Sequence, residues 1–125
     1  MNKALRVVVA LTALLFVMLG IRWLVDPAGS AAGMGMPLLE GIGRSTQIGD
    51  LGAFFFGGGV MVIIGLLTNR RSWFYAPTIL IASTALFRVI AWLAHDAAFA
   101  TEQIAVEVIV TALLLAAASR LADKA

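Results

Sequence analysis

The stretch from Ala76 to Asp96, A-P-T-I-L-I-A-S-T-A-L-F-R-V-I-A-W-L-A-H-D, decides how the rest of the chain reads. It is long and apolar enough to cross a hydrocarbon layer about 30 Å thick, yet it carries Arg88 in its interior. An unpaired arginine at the centre of a membrane helix costs about 2.5–3.5 kcal/mol on insertion scales. Ile79, Leu80, Ile81, Leu86, Phe87, Val89, Ile90 and Leu93 offset that by about 0.3–0.6 kcal/mol each. The helix is therefore marginal alone, and it requires neighbours that supply Arg88 with a partner.

Composition agrees with that requirement. Of the 125 residues, 62% are hydrophobic and 13% charged, with a mean hydropathy of +1.00. Soluble domains average about 45–50% apolar residues, and a soluble fold of this length could not hide so much apolar surface. The chain reads as a single integral membrane domain, residues 1–125, with the lipid bilayer as its first partner. A net charge of +2 and a pI near 9.7 would permit nucleic-acid binding. No basic face supports it, so none is expected. Cysteine is absent and histidine occurs once, which excludes disulfides and any thiolate or multi-histidine metal site within one chain.

Working outward, four spans emerge. The first is Ala4–Val25, about 33 Å long as a helix. Its apolar run after Lys3 and Arg6 is also signal-peptide-like, with Ala28-Gly-Ser30 as a passable cleavage site. A retained helix is preferred, because its loss would leave three helices and an unpaired bundle face. Asp26-Pro27 ends it. A long outer loop rich in Gly, Ala, Met and Pro then runs to Gln47, either as an interfacial connector or as a lid over the bundle mouth.

Ser45 or Thr46 is positioned to cap the second span, Ile48–Thr68. Gly49, Ala53 and Gly57 recur every fourth residue and predict a face of close helix approach. Gly57-Gly58-Gly59 reads as close packing with a slight bend, or as a floor where a ligand meets bare backbone. Trp73, Phe74 and Tyr75 form an aromatic belt opening the third span, Trp73–Ala94. The fourth is Thr101–Leu121. The fold class is all-α, a four-transmembrane-helix bundle.

Lys3, Arg6, Arg70, Arg71, Arg120 and Lys124 fall on one side of this topology. The positive-inside rule makes that side cytoplasmic, with both termini inside a bacterial inner membrane. Six of the seven acids, all but Asp123, then lie at or near the outer face.

That outer half gathers a candidate polar cluster: Arg22, Asp50, Arg88, Trp92, His95 and Glu107, with Glu102 nearby. Arg88 lies about 9 Å below the end of its helix and Glu107 about 7.5 Å below Glu102. The matched depths predict a charge-assisted pair. Thr84, Arg88, Trp92 and His95 share one helix face by their spacing, and Gln103, Glu107 and Thr111 another. Facing one another, they would form a polar seam. Asp50 and Glu102 also suit the first turn of a helix, and Arg22 the last, through the macrodipole and snorkelling. Glu107 lies too far into its helix, and Arg88 too deep, for either account. The cluster is thus either structural pairing or a binding or proton-handling site.

The segments R-W-L-V-D-P-A-G, G-D-L-G-A-F-F-F-G-G-G, F-R-V-I-A-W-L-A-H-D and A-V-E-V-I-V together resemble a family of small bacterial four-helix membrane proteins of unknown function, similar in layout to DoxX-like proteins. The resemblance spans nearly the whole chain and implies a four-helix bundle without an established activity. In that family the position matching Asp50 is often basic, a departure in this chain's charge arrangement. A redox role follows from DoxX-like proteins by analogy alone.

No P-loop, dinucleotide fingerprint or serine-nucleophile elbow occurs, so no enzyme, catalytic residue, cofactor or metal is expected. Two classes of function remain. One is a non-enzymatic bundle, either an accessory subunit of a larger membrane complex or homo-oligomer, or a binder of a lipid or small amphiphile. The other is a proton- or ion-coupled carrier or quinone-linked redox component using Arg88, Glu107 and His95.

Overall fold

Four helices long and apolar enough to cross a membrane account for most of the chain in the computed structural model, which describes residues 2–125. In chain order the elements are α1 (Asn2–Val25), α2 (Pro27–Gly33), α3 (Gly41–Thr46), a π-helical segment (Gln47–Gly52), α4 (Ala53–Thr68), α5 (Ser72–Ala94) and α6 (Thr101–Arg120). Helix α3, the π segment and α4 run on without a break as one span, Gly41–Thr68. The second membrane helix therefore starts seven residues before the expected Ile48. Neither Ser45 nor Thr46 caps it, since both lie inside the helix, and Glu40 stands at its N-terminus without a side-chain cap.

The long connection between the first two spans is also more ordered than its composition suggests. Asp26 ends α1, and its carboxylate accepts from the Gly29 N–H at 3.1 Å to start α2, with Pro27 in the first helical position. Only residues 34–40 are non-helical. That remnant is fastened by Gln47, a buried side chain on the first turn of the π segment. Its Oε1 accepts from Leu39 N–H at 2.8 Å, and its Nε2 donates to the Pro37 carbonyl at 3.1 Å. The connection is thus tied to the end of the second span.

Helices α1 and α4 cross at close range. A Cβ built on Gly59 would lie 2.6 Å from the Ala13 carbonyl oxygen, and one on Gly20 would lie 2.6 Å from the Phe56 nitrogen. A Cβ built on Gly52 would lie 3.1 Å from the Cβ of fully buried Trp23. The close-approach face is therefore Gly52–Gly59 against Ala13–Gly20, small residues seven apart on antiparallel helices. This overturns the expected face: added Cβ atoms on Gly49 and Gly57 would meet nothing within 4 Å, and Ala53 is exposed. Residues four apart do share a helix face, but the phase of that face is set by the π turn and the partner helix. Gly58 and Gly59 are buried in packing.

The core itself occupies one half of the bundle. Val9, Ala13, Val62, Leu66, Phe74, Ile81, Val110, Leu114, Ala117, Ala118 and Ala122 form one cluster drawn from all four spans. Phe74 is completely buried with its ring against Gly65, so the expected aromatic belt loses its central member to the core. The same end is stitched by main-chain caps. Arg6 donates to the Leu66 carbonyl, Asn2 to Arg120 O at 3.3 Å, and Arg71 Nε to Ala122 O at 3.3 Å. Lys124 exchanges backbone bonds of 3.0 and 2.9 Å with Asn69 and Arg71. Asn69 takes the left-handed conformation (φ 57°) that closes α4. These contacts place all six residues Lys3, Arg6, Arg70, Arg71, Arg120 and Lys124 at one end.

Beyond Ile81 and Val110 the packing changes. No residue from 82 to 109 is buried, and Leu86, Phe87 and Leu93 are each more than half exposed. The π segment packs with α1 and α4, α2 with α1 and α3 with the π segment, and none of the three makes substantial contact with the α5–α6 hairpin among the described residues. Arg88 and Glu107 thus lie in a part of that hairpin that holds no fully buried residue.

Candidate functional site

One ionic contact holds the outer half of the α5–α6 hairpin together. Arg88 Nε donates to both oxygens of Glu107, at 3.1 and 3.0 Å. The pairing expected from matched helix depths is present. It is lopsided: the Glu107 side chain is 15% exposed and the Arg88 side chain 31%. The pair grips the arginine by its Nε edge, and neither Nη group bonds to a described residue. Four N–H donors of a planar, permanently charged group thus remain free beside an apolar hairpin.

Thr111 lies one helical turn from Glu107 toward the core. Its hydroxyl is buried and has no partner among the described residues. A helical threonine ordinarily bonds back to the carbonyl four residues earlier, as Thr84 does to Leu80 at 2.9 Å. Thr111 instead leaves an unused donor and acceptor on the Glu107 face. Trp92, one turn beyond Arg88, packs edge-on against Phe99, with ring centroids 4.9 Å apart. These rings close the outer end of the hairpin.

The other members of the expected cluster do not converge. Arg22 reaches Asp26 at 3.6 Å, an exposed pair within one turn that steadies the α1–α2 junction. Asp50 lies exposed in the π segment and forms no ion pair among the described residues. His95 is the exposed C-cap of α5, its N–H donating to Ala91 O at 2.9 Å. Asp96 follows in the left-handed conformation (φ 55°), and Ala97 closes the turn onto the same carbonyl at 3.2 Å. The polar seam therefore contracts to Arg88, Glu107 and Thr111. The cause lies in the helix packing: Arg22 and Asp50 belong to the α1–α4 pair, and α5–α6 does not press against its outer part.

Two residues were not singled out by sequence reasoning. Trp23 is buried in the α1–α4 contact, and Gln47 secures the outer connection. A lone Gln at the end of a polar run carries no signal for burial, and the Trp sits where an interfacial anchor is equally natural. Among the described residues no group of three or more His, Cys, Asp or Glu side chains could hold a metal ion. Comparison with protein-family models, curated proteins and solved structures finds no match for this chain.

Proposed function

We propose that this chain is a non-enzymatic membrane protein that binds the acidic or carbonyl head of a lipid or small amphiphile at Arg88. The observation that carries this reading is the half-used guanidinium. Glu107 fixes its Nε edge, and its Nη edge is free within the apolar part of a helix. A guanidinium there is unfavourable unless its donors are satisfied. An anionic oxygen pair matches its fork, as carboxylate and phosphate do elsewhere. The exposed apolar side chains of the hairpin, Leu86, Phe87 and Leu93, would accommodate an apolar tail. The four-helix layout implied by the resemblance to DoxX-like proteins is compatible with this role, which does not depend on it.

The test compares molecules that co-purify with wild type and with the double variant Arg88→Met, Glu107→Leu, extracted from mild detergent and identified by mass spectrometry. An acidic amphiphile present in wild type and lost from the folded variant is the expected result. Identical extracts from the two proteins would reduce the ion pair to a structural contact.

The orientation is part of the proposal: both termini cytoplasmic in a bacterial inner membrane, which puts Arg88 in the outer leaflet. Single cysteines at Gly33 and Ala98 should react with an impermeant thiol reagent on intact cells, and one at Ser72 should not. Labelling at Ser72 alone would invert the molecule.

A further inference from the structure

A groove of about 460 Å³ runs between α1 and α6 at the basic end of the bundle, away from Arg88. That volume falls within the range of about 300–1,000 Å³ typical of small-molecule sites. Its walls are apolar: Ala4, Leu5 and Val8 from one helix, Leu113 and Ala116 from the other. Its mouth is polar and is formed by Asn2 and Arg120. Asn2 Nδ2 bonds to the Arg120 carbonyl at 3.3 Å and bridges the helices at that mouth. From Asn2 to Val8 the rise along α1 is about 9 Å, and from Arg120 back to Leu113 about 10 Å. The slot is therefore parallel to the helices, open to lipid along its side and cationic at its end.

We infer that this groove is a binding site for one anionic phospholipid, its acyl chain lying between α1 and α6 and its phosphate at the Arg120 guanidinium. Charge selects the occupant. The end that carries Arg120 also carries Lys3, Arg6, Arg70, Arg71 and Lys124, against the single acid Asp123. Basic residues at a membrane surface attract anionic lipid by about 1 kcal/mol each, and a guanidinium binds phosphate through paired N–H donors. A zwitterionic lipid fills the same walls but gains less from that field. The site is independent of the Arg88 proposal, being built from other residues at the other end.

Native mass spectrometry of the detergent-purified protein tests it, with palmitoyl-oleoyl phosphatidylglycerol and phosphatidylcholine as probes sharing the same chains. Wild type should retain the glycerol lipid preferentially. Arg120→Gln should lower its retention about fivefold and leave the choline lipid unchanged. Ala4→Phe places a ring in the slot from an exposed position and should reduce both. Equal retention of the two lipids by wild type would overturn the assignment, as would undiminished binding of the glycerol lipid by Ala4→Phe. The Arg88→Met, Glu107→Leu variant should keep the share of phosphatidylglycerol that Arg120→Gln removes, whatever it loses at Arg88; disappearance of that share would dismiss the groove.

Discussion

The two halves of this bundle are built on different principles. Toward the termini, all four spans interlock around Phe74, Leu114, Val9 and Ala13, and the chain ends are stitched to the turn at Asn69–Arg71. Beyond Ile81 and Val110, the molecule becomes two hairpins that meet little. One is closed by glycine contacts and Trp23, the other by a single ion pair and a pair of rings. The half with dense burial bears the stability, and the half with sparse burial leaves a charged group unspent. In α/β enzymes and helical bundles alike, ligand sites favour such places, where packing is incomplete and a few polar groups remain unpaired.

The sharpest way to break this contrast is to truncate one phenylalanine in each half. Phe74→Ala empties a fully buried site and should lower unfolding free energy in detergent by about 3–5 kcal/mol. Phe87→Ala, at a residue 69% exposed, should change it little. Comparable losses at both would show that the outer hairpin is covered by protein in the working state, as a second copy would do.

A smaller effect separates the two glycine faces of the second span. Gly59→Leu drives a side chain into the Ala13 carbonyl and should destabilise by about 1–3 kcal/mol or prevent folding. Gly57→Leu meets no neighbour and should melt like wild type. If Gly57→Leu is the damaging one, the phase assigned across the π turn is wrong.

The subtlest measurement concerns Arg88 and Glu107. Arg88→Met leaves Glu107 without its only partner among the described residues, and Glu107→Leu frees the arginine entirely. Each should destabilise, and the double variant should recover part of the loss, with a coupling of about 0.5–3 kcal/mol. Strict additivity would mean that the contact contributes nothing and the hairpin is held by its apolar flanks.

Much of this was readable in one dimension because the bilayer imposes strong rules. Long apolar runs must become helices, since no water remains to satisfy the backbone, and four such runs stand out in this sequence. Arg88 and Glu107 were legible as a pair because a fixed rise per residue converts sequence offset into depth. The clustering of basic residues followed from the alternation of spans. All these inferences rest on local chemistry and on counting along single helices.

Tertiary structure alone decided the rest. Gly49, Ala53 and Gly57 form as good a small-residue line as any, yet the π segment and the seat of Trp23 turn Gly52 and Gly59 inward instead. Arg22, Asp50 and His95 lie in the same half of the bundle as Arg88 but do not meet it, because depth is set by position along a helix and proximity by the azimuth of each helix and by which pairs pack. Gln47 became the anchor of the outer connection only when residues 34–40 folded back across it. Apolar periodicity fixes that a helix will bury a face; which face, against which partner and to what depth of packing depends on long-range contacts that no single helix encodes.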